Sequence, residues 1–154
     1  MRIMKSASVE KLFEEEEKVI ESVREISQGI LDLSEFANAK SPVELAECEI
    51  VGKRMRNACD KINDEIHKAR KVLGILMLHK EAVVFKRGAR SLREMEDELS
   101  LIHGDVESIG VVAENFFEAS DRKIAFENLN KQYGSLMEHV MSLLSSESKM
   151  RELL

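Results

Sequence analysis

Hydrophobic residues recur at alternating steps of three and four along most of this chain, the pattern of helices that bury one face. The longest such seam follows Ser41, Pro42 and Glu44, which combine an N-capping side chain, a proline suited to the first helical position and a glutamate able to complete a capping box. The pattern therefore predicts a long second helix from residue 42. Its apolar seam comprises Leu45, Cys48, Gly52, Met55, Cys59, Ile62, Ile66, Ala69, Leu73 and Leu76.

Three further seams predict three more helices, at about 8–38, 91–118 and 121–147. The first seam has Glu16 as its one polar member. We expect Ser91 and Glu94 to form a capping box that opens the third helix. A shift in the phase of the pattern beside the pair Ser120-Asp121 predicts a turn before the fourth helix. The residues from Ser145 onward are expected to fray.

The end of the second helix has two possible positions in the sequence. Cations followed by glycine, a frequent helix ending, occur at both Gly74 and Gly88. We prefer a helix that continues to residue 87, over the alternative of a β-hairpin between the two glycines. The predicted fold is a single all-α domain over residues 1–154. It is an antiparallel up-down bundle of about four long helices with coiled-coil-like seams, from which an apolar segment, 72–87, overhangs or is inserted.

The composition agrees with long helices and shows an uneven distribution of charge. Of the 154 residues, 34% are charged, 5% are aromatic and only one is proline. The net charge of −6 divides into −5 over residues 1–48, +7 over 49–93 and −8 over 94–154, counted from the sequence. A negative total argues against bulk affinity for nucleic acid, so the basic middle is the part that requires an explanation.

A second apolar face near the end of the second helix is the strongest candidate for a binding surface. A helix with two apolar faces needs two sets of neighbours, which helices three and four could supply within one chain. The functional interpretation is a protein partner, most simply a second copy in a homodimer, with burial contributing on the order of 6–10 kcal/mol before association costs. A membrane surface is the alternative partner, with Lys80, Lys86 and Arg87 meeting lipid phosphates. The predicted partner-binding residues are Val72, Ile75, Leu78, Ala82 and Phe85.

A basic stripe runs along the same helix and consists of Arg54, Arg56, Lys61, Lys68 and Arg70. Three of these cations recur every seven residues and could follow a phosphate backbone. The acidic neighbouring helices offer the simpler explanation, because complementary charge would select which helices pack together. No aromatic residue interleaves the stripe, which argues against the stacking of single-stranded bases.

The sequence offers little support for catalysis. His67, followed by the cations Arg70 and Lys71, resembles histidine-phosphotransfer four-helix bundles, where Lys and Gly occupy those two places. That resemblance implies a phosphorelay as a further alternative. Cys48 and Cys59 would lie roughly 16 Å apart on one helix, too far apart to form a disulfide with each other, which predicts a reducing, cytoplasmic location. We predict no catalytic residue, metal, cofactor or small-molecule substrate. The expected function is a non-catalytic, self-associating scaffold or adaptor.

Overall fold

The computed structural model describes residues 7–78 and 86–153 and contains the four predicted helices. They are α1 (Ala7–Ser34), α2 (Pro42–Leu78), α3 (Lys86–Glu114) and α4 (Arg122–Glu152), with a short 3₁₀ turn, Phe116–Glu118, before α4. Within the described ranges no residue lies in a β-strand. The prediction of an all-α, up-down helical bundle is therefore confirmed.

Two of the predicted helix starts are capped as the sequence indicated. The hydroxyl oxygen of Ser41 accepts a hydrogen bond of 3.1 Å from the backbone N–H of Glu44. At the start of α4, the Asp121 carboxylate accepts from the backbone N–H groups of Lys123 and Ile124. Each side chain satisfies amides that have no partner inside the first turn, which sets where the helix begins.

The seams predicted from the spacing of apolar residues form the core. In α2 the buried positions are those of the predicted seam except Leu45, which is half-buried. The third predicted seam is buried throughout. It consists of Leu92, Met95, Leu99, Ile102, Val106, Ile109 and Ala113 in α3 and of Phe116 in the 3₁₀ turn. One continuous core therefore runs along the bundle between all four helices.

Polar contacts establish the direction in which the helices run. Between α2 and α3, Arg56 contacts Glu107 and Arg70 contacts Glu96. The residue number falls in one helix as it rises in the other, so the two helices are antiparallel. Because both contacts join α2 to acidic residues of α3, they account for part of the positive charge on α2.

The bundle closes where α1 meets α4. Near one end, Arg151 of α4 contacts Glu17 of α1 at 3.3 Å. At the other end, the guanidinium of Arg122 donates hydrogen bonds to the backbone carbonyls of Phe36 and Ala39. These carbonyls belong to the connection after α1, so the arginine fastens that connection to the start of α4.

The start of α3 differs from the prediction. The helix begins at Lys86, so Ser91 lies inside it, and it is buried rather than acting as an N-cap. Lys86 and Arg87 open α3 instead of ending α2. The capping-box spacing at Ser91 and Glu94 was misleading because a buried serine inside a helix can have the same spacing to a glutamate as an N-cap.

The end of α4 also differs from the prediction. The helix continues to Glu152, and Ser146, Glu147 and Met150 are buried. Fraying after Ser145 was expected because the local sequence is polar. Ser146 donates a hydrogen bond to Glu94 of α3, however, and Arg151 contacts Glu17 of α1. Tertiary packing therefore outweighs the low intrinsic helix preference of the serines.

The apolar segment 72–87 is described only in part. Gly74 lies inside α2, which ends at Leu78 in the described part of the chain, so a hairpin beginning at Gly74 is wrong. Residues 79–85, with Ala82 and Phe85 among them, lie outside the described residues. Ser22 and Glu65 are in contact across α1 and α2. The helical rise therefore puts Leu78 level with Val9, near the start of α1.

Candidate functional site

The end of α2 carries exposed apolar side chains. Leu78 is 84% exposed, Ile75 49% and Met77 42%. Val72, also predicted to bind a partner, is half-buried and packs against the core. Leu73 and Leu76 face the core and are buried. The side of α2 turned away from the core therefore continues to present hydrophobic residues to solvent over its last turn.

The predicted basic stripe divides into two groups, and the first is bound to α3. The Arg56 guanidinium lies 2.9 Å from Glu107 and 3.2 Å from Asp60. Arg70 places two nitrogens on one oxygen of Glu96, at 2.6 and 3.0 Å. These two arginines join helices within the molecule, which leaves little of their charge available to an external anion.

The second group projects into solvent. Arg54, Lys61 and Lys68 are exposed and follow one another every seven residues, so they form a line on the side of α2 nearest α1. Among the residues that the structure describes, none of these three cations is in an ion pair. These three cations remain available to a partner, whereas Arg56 and Arg70 are paired with acidic residues of α3.

A groove between α1 and α2 lies beside that line. Its volume is about 710 Å³. Gly29 and Ala58 are small residues on its two sides, and the Met55 side chain lies across Gly29, so that a β-carbon added to the glycine would be 2.9 Å from the methionine sulfur. Spacing alone did not reveal this groove. The signal for it is the pair of small residues on facing flanks of neighbouring helices.

Charged side chains form the two rims of the groove. Glu25 and Asp32 stand on the α1 side, and Arg54 and Lys61 stand on the α2 side. Glu65 also lines the α2 side, where its carboxylate accepts a hydrogen bond from Ser22 of α1. The floor is apolar and includes Ile26, Val51, Met55 and Ile62. An apolar floor between rims of opposite charge is suited to a protein surface that carries the complementary charges.

A pair of carboxylates is buried between α1 and α4. Glu16 is 0% exposed and Glu147 5%, and both oxygens of Glu16 lack a hydrogen-bond partner. Burial, and secondly the negative charge of Glu147, raise the pKa of Glu16 well above its ordinary value. Arg151 contacts Glu147 at 2.8 Å. Glu16 stood out in the sequence as the one polar member of its seam, and the structure shows that this position is buried.

A second polar cluster joins α3 to α4. His139 Nδ1 lies 2.5 Å from one oxygen of Asp105, and the Ser135 hydroxyl donates to the other oxygen at 3.3 Å. The serine therefore contacts the aspartate rather than the histidine. Asp105 of α3 thus holds both Ser135 and His139 of α4, and the cluster links the two helices.

The histidine and the two cysteines considered for catalysis lie at different places along α2. His67 is exposed on α2. Burial raises the pKa of both cysteine thiols, that of Cys59 to about 12, which disfavours the thiolate that a nucleophile or a metal ligand requires. Over residues 7–78 and 86–153 no group of three or more His, Cys, Asp or Glu could hold a metal ion. In the same ranges, none of the helices combines the length and the apolar character needed to cross a bilayer.

The chain matches no protein-family model, and comparison with the curated proteins and with the solved structures found no similar protein.

Proposed function

We propose that this chain is a non-catalytic, protein-binding helical module that associates with a second copy of itself, as a scaffold or adaptor subunit does. The observation that supports the proposal is the exposure of Ile75, Met77 and Leu78 at the end of a helix whose opposite face is fully buried. Three apolar side chains exposed within four residues are a common mark of a contact surface. Homodimers with two-fold symmetry are the commonest assemblies that cover such a surface.

The size of the apolar surface limits what it can contribute. The exposed fractions of Ile75, Met77 and Leu78 amount to fewer than two fully exposed side chains per copy. Burying them on both copies of a dimer would contribute roughly 5–10 kcal/mol. The loss of translational and rotational freedom on association costs about 4–15 kcal/mol. The end of α2 can therefore nucleate an interface, but a stable dimer needs further contact area.

The test is the molar mass of the purified protein, measured by light scattering at high micromolar concentration. We expect twice the 17.5 kDa of one chain. Leu78→Asp should return the mass to that of the monomer, because a carboxylate would be forced into an apolar contact. Met141→Asp is the matched control, since Met141 is 62% exposed but lies on α4, and it should leave the dimer intact.

Circular dichroism separates dissociation from unfolding. Leu78→Asp should keep the helical signal of the unaltered protein, because the side chain that it replaces contributes little to the core. An unaltered chain that is monomeric at high concentration would refute the proposal. If that monomer also sedimented with anionic lipid vesicles, a membrane surface would replace the second copy as the partner of this apolar end.

A further inference from the structure

The charged residues on the two rims of the groove between α1 and α2 lie at matching heights along the bundle. Ser22 and Glu65 are in contact across the two helices. Glu25 lies three residues further along α1 and Lys61 four residues back along α2, so the two stand level to within about 1.5 Å. By the same count, Asp32 on the acidic rim is level with a cation on the basic rim, Arg54.

These four side chains remain without an ion pair although each has a level counterpart of opposite charge. Arg54, Lys61 and Glu25 are exposed, and Asp32 is half-buried. Asp32 accepts a hydrogen bond of 3.0 Å from Gln28. None of the four forms an ion pair with any residue in the described part of the chain. The groove holds the two rims apart, so the complementary charges do not meet within one molecule.

We propose that the second copy binds against this groove, related to the first by a two-fold axis parallel to the helices, so that α1 of each copy lies against α2 of the other. A rotation about such an axis changes no height along the bundle. Because Glu25 and Lys61 are level within one copy, Glu25 of each copy meets Lys61 of the other. Asp32 and Arg54 meet in the same way, and four pairs form with no adjustment of register.

The alternative two-fold arrangement is disfavoured by charge. An axis that lies in the same face but perpendicular to the helices would bring α1 against α1 and α2 against α2. Acidic rims would then approach acidic rims, and basic rims would approach basic rims, which is repulsive at short range. The charges therefore select one orientation of the partner, in addition to favouring its binding.

The groove also continues into the apolar end of α2. Ile75 lies seven residues after Lys68, in line with Arg54 and Lys61, so the basic line ends in an exposed apolar side chain. A partner lying along the groove would extend over Ile75. The groove thus provides the additional contact area that the end of α2 lacks, and this inference rests on the self-association proposed above.

Reversal of one rim at a time tests the inference. In a homodimer of the variant Arg54→Glu/Lys61→Glu, the altered α2 of each copy would face the acidic rim on α1 of the other copy. In a homodimer of Glu25→Lys/Asp32→Lys, the altered α1 of each copy would face the basic rim on α2 of the other. At low ionic strength, where screening is weak, we expect each to weaken its homodimer by about a hundredfold or more. An equimolar mixture of the two should form a heterodimer, since every pair is then complementary. The variant with all four reversals should dimerise alone.

A matched control removes the effect of net charge. Lys123→Glu/Lys131→Glu changes the charge by the same amount as the reversal on α2, at two exposed positions of α4. It should leave the dimer unaffected. Recovery of dimer in the mixture would also demonstrate that both rim variants fold. Circular dichroism of each variant alone checks its helical content.

The outcomes distinguish this inference from the proposal on which it rests. If the unaltered chain is monomeric, self-association itself is wrong and the groove has no such partner. A second outcome is that the unaltered chain dimerises and Leu78→Asp dissociates it, while neither rim reversal changes the molar mass. Self-association would then be supported, and the groove would be excluded as the dimer interface. Dissociation by both reversals without recovery on mixing also overturns it, because the rims would then not be facing one another.

Discussion

The buried carboxyl of Glu16 leads to a prediction with a defined sign. Burial raises its pKa above the ordinary value of 4.5, so the folded protein retains a proton that the unfolded chain releases. Over the pH range between the two pKa values, the unfolded state binds one proton fewer. The free energy of unfolding should therefore fall by about 1.4 kcal/mol for each unit of rising pH.

The substitution Glu16→Gln removes this dependence. Glutamine has nearly the same shape and stays neutral, and its amide can donate a hydrogen bond to the Glu147 carboxylate. We expect the variant to become more stable than the unaltered protein as the pH rises above the ordinary glutamate pKa. The difference should grow by about 1.4 kcal/mol per pH unit until the raised pKa is reached. Against a typical total stability of about 5–15 kcal/mol, one or two pH units produce a large effect.

The assay is urea unfolding followed by helical circular dichroism from pH 5 to pH 8, with equal denaturant slopes required for the comparison. Glu21→Gln, an exposed glutamate on the same helix, is the control, and its difference from the unaltered protein should not vary with pH. Glu147→Gln should reduce the dependence without abolishing it, because burial is the larger cause of the raised pKa. A difference between Glu16→Gln and the unaltered protein that stays constant over this range would refute the reasoning.

Two further predictions concern packing and thiol chemistry. Gly52→Ala should destabilise the bundle by about 1–3 kcal/mol, because the added β-carbon would lie 2.3 Å from the backbone oxygen of Ala113. In contrast, a β-carbon at Gly134 would meet nothing within 4 Å. Gly134→Ala should therefore stabilise the bundle by about 1 kcal/mol. Thermal unfolding of both variants measures this, and equal effects at the two positions would contradict the close approach of α2 and α3. Cys59 should react with iodoacetamide at pH 8 roughly a thousandfold more slowly than an ordinary thiol, because its pKa rises from 9.0 to about 12. Mass spectrometry of the native protein measures the rate, and modification as fast as in urea would show that the thiol is accessible.

The helix interiors could be predicted from the sequence because the spacing of apolar residues records which face of each helix is buried. Ser41 and Asp121 could be identified as caps for a similar reason, since the capping hydrogen bonds are local. Ser91 shows the limit of that argument, because a capping pattern inside a helix has the same spacing as one at its start. The end of α4 was missed because it is held by contacts with α1 and α3, which are distant in the sequence.

The candidate surfaces divide in the same manner. Ile75 and Leu78 stood out in the sequence as a second apolar face on one helix, and they are exposed in the structure. The carboxylate pair of Glu16 and Glu147 could not be predicted as a pair, because nothing local relates the start of α1 to the end of α4. Likewise, Arg54 and Arg56 looked equivalent in the basic stripe, yet only Arg56 is bound to α3.

The sequence by itself determined the helices, their buried faces and the fact that α2 has more apolar and basic surface than one seam requires. These properties follow from periodicity and composition, which are local. The tertiary structure alone decided which helices are neighbours and at what height their residues meet. It thereby placed Glu25 level with Lys61 and Glu16 beside Glu147. The physical reason is that side-chain pairing between helices depends on their relative register, which only the packing of the whole core fixes.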